Sequence, residues 1–244
     1  MGCCNAYESE RMAKITGETL RPGGFRLTEK AVRLCGLSSG DVILDLGCGR
    51  GATVNYLYKT HRIRGIGIDP SEKLIGDAKR RYGFCDFVTG RGEKLPFQGA
   101  SFSCVFAECT LSLMEDLNRA LKEAFRVLKD GGRLVVTDVY AKNPREVDGL
   151  RPFNVNSCLR GLHDLTELEE TLGKTGFVVS HREDCSDLLK ELMVQTVFTF
   201  GSMAEFWNVT SGDCVDGWRY QEALRKCKPG YFLMIAEKEG TNCG

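Results

Sequence analysis

Apolar residues recur along this chain in short runs, each closed by glycine or an acid and followed by residues at helical spacing. Val42-Ile43-Leu44-Asp45-Leu46 is the first clear run. An apolar run of this length, bounded by turn residues, predicts a strand covered on both faces. Further runs at 65–68, 85–89, 103–108, 133–139, 177–182 and 230–237 predict six more strands. Helical patterns fall between them: after the glycines at 52–58 and on toward His61, from Pro70-Ser71 to about Tyr82, and over 114–128, 165–174 and 186–200, with shorter pieces at 203–207 and 217–226. In 114–128, Leu117, Leu121, Ala124, Phe125 and Leu128 share one face. Thr28 is the predicted cap of a helix over 29–34, and Ser71 that of the helix after the second strand. Lys129-Asp130-Gly131-Gly132 and Gly176 read as helix stops. This alternation predicts an α/β fold with a doubly wound, mostly parallel sheet. Residues 6–20 are expected to be helical, so 1–40 is read as an N-terminal helical cap on a domain spanning 41–244. The stretch 140–164 is irregular, and 186–228 is an insertion large enough to act as a substrate lid.

The first strand carries the chemistry. Gly47, Gly49 and Gly51 follow it at once, then a helix. Glycines let the backbone turn sharply and approach a ligand, and the helix start presents N–H groups to it. Gly47-x-Gly49-x-x-Ala52 fits the dinucleotide fingerprint. Gly47-x-Gly49-x-Gly51 fits the tighter turn that receives S-adenosylmethionine. Asp69 ends the second strand and suits either ligand, since both carry a ribose diol. Asp45, inside the strand, favours the methyl donor, because a carboxylate there can meet an ammonium group, which the dinucleotide lacks.

Five segments together resemble the class I S-adenosylmethionine-dependent methyltransferases: Asp45-Leu-Gly-Cys-Gly-Arg-Gly51, Gly67-Ile-Asp69, Gly90 to Phe97, Ser101-Phe102 to Glu108, and Leu128 to Val136. The likeness is to the type 11 and ubiquinone/menaquinone methyltransferases. It is close over about 40–140 and looser beyond. It implies a seven-stranded Rossmann-like sheet whose last strand is antiparallel beside the sixth. It also implies a cofactor set of Asp45, Gly47, Gly49, Gly51, Asp69, Pro70, Gly92, Glu93 and Glu108. Asp45 and Gly47 would face the methionine end, Asp69 the ribose, and Gly92 and Glu93 the adenine. Glu108 would border the sulfonium. The chain departs from the family where Arg91 replaces the usual adenine-loop Asp and where Ser103 follows Phe102 in place of Asp.

Composition narrows the acceptor only a little. Lys+Arg and Asp+Glu are both 33, so the formal net charge is zero and no nucleic-acid partner is expected. No apolar run reaches membrane-spanning length, so no membrane partner is expected. With no apolar leader at the start, a cytoplasmic setting with reduced thiols is expected for the 12 cysteines. There is no Cys-x-x-Cys pair, so no structural metal is expected. Cys35, Cys48 and Cys104 read as packing residues. Cys3, Cys4, Cys158, Cys185 and Cys214 lie in polar, loop-like surroundings.

The acceptor is expected to be a small molecule. Candidate catalytic residues are His163, Cys158 and Glu108, with His181 read as a structural histidine in a strand. Asn156-Ser157-Cys158-Leu159-Arg160-Gly161 resembles a segment of arsenite methyltransferases, in which a cysteine helps hold trivalent arsenic. That likeness implies a metalloid acceptor as an alternative, with Cys3, Cys4, Cys185 or Cys214 as further thiols. A cofactor-binding regulator without turnover is the other alternative.

Overall fold

The computed structural model describes residues 6–8, 17–19, 21–153, 155, 157–211 and 215–240. Seven strands form one sheet: β1 (Val42–Leu46), β2 (Arg64–Asp69), β3 (Asp86–Thr89), β4 (Phe102–Glu108), β5 (Leu128–Ala141), β6 (Phe177–Asp184) and β7 (Pro229–Lys238). Their order is β3-β2-β1-β4-β5-β7-β6. β1 pairs in parallel with β2 and β4, and β7 runs antiparallel to both β5 and β6. The chain therefore reverses its winding between β1 and β4, the place where open α/β sheets bind ligands beyond the strand ends.

The helices are α1 (Arg26–Leu34), α2 (Ala52–His61), α3 (Glu72–Arg81), α4 (Leu117–Val127), α5 (Leu165–Thr175), α6 (Ser186–Phe200), α7 (Met203–Ser211) and α8 (Gly217–Cys227). Successive strand residues point to opposite faces, which splits the core in two. Ile43, Phe106 and Val135 pack with α1, α2 and the α6–α8 insertion. Leu44, Val105 and Leu134 pack with α4 and α5. Ser71 caps α3, its hydroxyl accepting from Leu74 N–H at 3.2 Å. Gly176 ends α5 in a left-handed conformation, φ 102°.

Four expectations are corrected. Thr28 does not cap α1: Phe25 holds the cap position, and Thr28 is a buried residue inside the helix. The fourth helix is shorter than its apolar pattern, because Asp116 caps it at Leu117 and Leu128 already belongs to β5. Lys129 to Gly132 does not merely stop that helix. It belongs to β5, with Gly131 at φ 70° and Leu128 paired to Phe102. In the N-terminal segment, 3-10 turns at Ala6–Glu8 and Gly17–Thr19 stand where a helix was expected, and residues 9–16 lie outside the described residues.

The insertion is fastened by aromatic packing. Trp207 and Tyr220 are buried edge to face with centroids 5.0 Å apart, and Trp207 Nε1 donates to Gln221 Oε1 at 3.0 Å. This ties α7 to α8. α6 turns Leu189, Leu192, Met193 and Thr196 toward a chamber, the i, i+3, i+4, i+7 spacing of one helix face.

Candidate active site

β1, β2 and β4 end side by side, which brings Asp45, Asp69 and Glu108 to the wall of one cavity of about 290 Å³. The turn after β1 is held over the end of β2, where Gly47 and Cys48 N–H both donate to Ile68 O, at 2.8 and 3.0 Å. Gly47 has φ 76°, and a Cβ there would lie 2.0 Å from Thr110 Oγ1. Both the conformation and the space therefore require glycine. Asp69 is oriented by two backbone donors, Gly49 N–H at 3.0 Å and Ser71 N–H at 2.9 Å. Pro70, Gly92 and Glu93 line the same wall. A side chain at Gly92 would strike Met114. Glu93 accepts from Glu115 N–H at 3.0 Å, which closes the far rim.

The two deepest acids differ in their surroundings. Glu108 is ion-paired with Arg21 at 2.9 Å and accepts from Thr28 Oγ1 at 2.8 Å and Thr53 Oγ1 at 2.9 Å. Arg21 donates to both threonines, at 2.6 and 3.1 Å. Asp45 accepts no hydrogen bond from the described residues, although it is only 3% exposed. Burial, and then the charge of Glu108, push its carboxyl well above the usual carboxylate range. Burial also raises Asp69. Sequence reasoning missed Arg21, Thr28 and Thr53. Each touches Glu108 from a distant part of the chain, and no local pattern announces that.

Some expected residues lie elsewhere. Gly51 does not line the cavity. It is buried at the start of α2 with φ 78°, and a Cβ would meet the Phe87 ring at 2.5 Å, so it serves the packing of the turn on β3. Glu108 lines the cavity, but its oxygens are engaged, which removes it as a free base. His163 does not line this cavity. It is buried, bridges in parallel to Tyr140, and its Nε2 lies 3.5 Å from Asp138 Oδ2. Asp138 also accepts from Ser112 N–H and Oγ and from Val139 N–H. His163 Nε2 has no hydrogen-bond partner among the described residues and lies outside the lining of the cavity. His181 lies in β6, half-buried, 3.3 Å from Glu183.

Cys158 lines a second, apolar chamber of about 60 Å³ under α6 and α7. Tyr7 and Cys109 line both cavities. Cys109 escaped the sequence reading, although its place directly after Glu108 at a strand end was the available signal. Cys185 is corrected from a loop thiol to a core residue: it is buried and lines neither cavity. Cys3, Cys4 and Cys214 lie outside the described residues.

The arrangement is that of a known family. The "Methyltransferase domain" profile matches residues 44–136, which span β1 to β5. An O-methyltransferase, resE, of Aspergillus sclerotiorum is 31% identical over 180 residues, covering 70% of this chain and 67% of that protein. The chain belongs to the class I S-adenosylmethionine-dependent methyltransferases. Its cofactor is S-adenosylmethionine. Among solved structures, this methyltransferase resembles the [4+2]-cyclase SpnF, with a TM-score of 0.70 and 26% identity, covering 88% of this chain and 80% of that one. It shares its fold with Haemonchus contortus phosphoethanolamine N-methyltransferase 2 in complex with phosphomonomethylethanolamine and S-adenosylhomocysteine. There the TM-score is 0.73 at 18% identity, and 94% of this chain and 56% of that chain are covered. No helix among the described residues is long and apolar enough to cross a membrane.

Proposed function

We propose that this methyltransferase passes the methyl group of S-adenosylmethionine to a small organic acceptor whose apolar body occupies the chamber under α6 and α7. The observation that carries this reading is the junction: Tyr7 and Cys109 border both the larger polar cavity and the smaller apolar one. The residues of the first cavity fit the cofactor. Asp45 is a buried carboxylate without a donor among the described residues, suited to an ammonium group. Asp69 is held by two backbone N–H groups with its remaining acceptor capacity facing the cavity, suited to a ribose diol. Gly92 and Glu93 stand at the adenine end. The bound cofactor supplies an electrophilic methyl group on a sulfonium.

The protein's task is alignment and exclusion of water. Glu108 is held by Arg21 and two hydroxyls, and His163 lies behind the wall, so neither is placed to take a proton from the acceptor. The acceptor atom is therefore one that arrives already deprotonated or without a proton, such as a carboxylate, a phenolate or a thiolate. A relative of this fold is named for a cyclase activity and not for methyl transfer, so a cofactor-binding regulator without turnover is the second reading.

Incubation with radiolabelled S-adenosylmethionine and a cell extract separates these readings. A labelled small molecule is the expected product, and labelled protein or no label at all would overturn the first reading. At the cofactor, Asp69→Ala should weaken S-adenosylhomocysteine by about tenfold or more, the loss of hydrogen bonds to a charged group. Unchanged affinity by calorimetry would remove Asp69 from the site.

A further inference from the structure

A third cavity, of about 180 Å³, opens between the start of α1 and the helix α6. Its walls are polar: Arg21, Arg26, Glu191 and Gln195, with Gly23 and Gly24. Arg21 also lines the cofactor cavity, and Leu192 lines both this cavity and the apolar chamber. The third cavity therefore adjoins the other two. Tyr7 and Cys109, where those two meet, are not among its walls.

Positive charge gathers around it. Arg21 is only 5% exposed, and its Nε has no hydrogen-bond partner among the described residues. The other nitrogens of Arg21 are committed to Glu108, Thr28 and Thr53. A buried donor left over in this way is uncommon in folded proteins and costs stability. α1 starts at Arg26, and Phe25 gives it no side-chain cap. The positive end of the helix dipole thus lies at the same cavity. Gly23 and Gly24 are both left-handed, φ 74° and 56°, and a Cβ on Gly23 would lie 2.6 Å from Leu188 on α6. Glycine at 23 is what lets the two elements approach.

Arg26 and Glu191 form an ion pair that joins the two walls. Their side chains are 58% and 55% exposed, so the pair is weak and open to exchange. The Glu191 carboxylate shows what the Arg26 fork accepts, a planar anion of single charge. A doubly charged phosphate would bring more charge than Arg26 alone balances.

We propose that this cavity binds a carboxylate carried by the methyl acceptor, whose apolar body passes Leu192 into the chamber under α6 and α7. The carboxylate takes the place of Glu191 on Arg26. It is not the group that is methylated, because its cavity does not reach Tyr7 and Cys109. The acceptor is then an amphipathic acid with a separate nucleophilic atom. This assignment rests on the apolar chamber being the acceptor site.

The test titrates the full chain, saturated with S-adenosylhomocysteine, with 4-phenylbutyrate and with 4-phenylbutanol, read by calorimetry. The two probes share an apolar body and differ in the charged end. The acid should bind about tenfold or more tighter than the alcohol, the value of a hydrogen bond to a charged group. Arg26→Gln should erase that advantage and leave the alcohol unchanged. Glu191→Gln removes the competing carboxylate and should tighten the acid about threefold or more. Met193→Trp should weaken both probes. Equal affinity for acid and alcohol, an Arg26→Gln variant that keeps the advantage, or a Glu191→Gln variant that does not tighten the acid overturns the carboxylate site. The chamber reading survives each of these while Met193→Trp still weakens the alcohol. Binding of both probes that ignores Met193→Trp removes the chamber reading, and the proposal with it. Should Arg26→Gln fail to fold, the wild type decides by salt: the affinity of the acid should fall as salt rises and that of the alcohol should not. A parallel response of the two probes defeats the proposal.

Discussion

The larger polar cavity and the apolar chamber of this methyltransferase meet at Tyr7 and Cys109, yet they are built in opposite ways. The larger one is cut from the ends of β1, β2 and β4. Its shape depends on backbone: a left-handed Gly47, two amides on Asp69, and a turn tied to Ile68 O. The smaller one is made of side chains on α6, α7 and the irregular stretch after β5, with Leu189, Leu192, Met193 and Met203 among its walls. A site made from backbone at a sheet edge accepts little change. A site made from methionine and leucine side chains can be reshaped by ordinary substitution. The contrast suits one fixed cofactor and an acceptor that varies between relatives.

The largest effect is expected within the larger cavity, at the ion pair that holds its deepest carboxylate. Arg21 comes from the N-terminal segment and Glu108 from β4, and their ion pair is buried. Arg21→Ala strands a buried carboxylate, and breaking such a pair costs about 3–5 kcal/mol. Thermal unfolding should show a large fall in Tm. Arg21→Met combined with Glu108→Gln should recover most of it, because a neutral pair carries no stranded charge. If the double variant is as unstable as the single one, a stranded charge is not the cause of the loss.

Asp45→Asn should act in the opposite sense on stability. Burial holds the folded-state pKa of Asp45 above its unfolded value. The folded protein then binds the proton more tightly than the unfolded chain does, and stability falls as pH rises from the unfolded pKa through the folded one. Asn removes that deficit. The ligand-free variant should melt higher than wild type at neutral pH and the same at acid pH. It should also bind S-adenosylhomocysteine about ten- to a hundredfold more weakly, having lost a charged acceptor for the ammonium. In the wild type that affinity should rise with pH as Asp45 ionises. A lower neutral-pH melting point in Asp45→Asn would refute the assignment of strain to this residue.

The two halves were also unequally legible in the sequence. Gly47, Gly49, Asp45 and Asp69 are set within strand–turn units, where short-range geometry dictates residue type, so the sheet and the cavity at its strand ends could be read from local pattern. The network around Glu108 could not. Thr28 satisfies a local rule for a helix cap, yet it sits one turn inside α1 because its hydroxyl reaches Glu108, 80 residues on in the chain. Gly51 fits the cofactor motif by spacing while serving Phe87 by contact. His163 has the chemistry of a base, but its position is decided by bridging to β5. Cys109 was hidden because nothing in the sequence shows that it shares a chamber with Cys158. Local periodicity sees elements, and the acceptor side depends on which elements meet.

The apolar chamber gives a third and smaller effect. Met193→Trp on α6 would fill space beside Leu192 and Met203. Overpacking of this kind is worth about 1–3 kcal/mol. With the acceptor recovered from the extract labelling, KM should rise about tenfold while S-adenosylhomocysteine affinity stays at the wild-type value. A change in cofactor affinity without a change in KM would mean that the chamber serves the cofactor, and the division of labour would have to be redrawn.

The smallest effect is expected at Arg91, where the chain departs from its family. Arg91 makes two hydrogen bonds to Glu115 at 2.9 and 3.0 Å, and both residues line the rim of the cofactor cavity. The pair lowers the carboxyl of Glu115 and raises the guanidinium of Arg91, in each case first through the hydrogen bond between them. Both side chains are largely exposed, 60% and 73%, so water and salt screen the attraction. Arg91→Ala should therefore leave Tm unchanged within error and alter S-adenosylhomocysteine affinity by less than about twofold. Arg91→Asp, which installs the residue usual in the family, sets a carboxylate against Glu115 and Glu93 on the same rim. It gains an acceptor for the adenine amino group and adds like-charge repulsion. Raising the salt concentration weakens only the repulsion, so the affinity of Arg91→Asp should improve with salt while that of Arg91→Ala does not. If both variants respond to salt alike, the rim charges play no part in holding the cofactor, and adenine recognition rests on the backbone from Gly90 to Gly92 and the Met114 side chain.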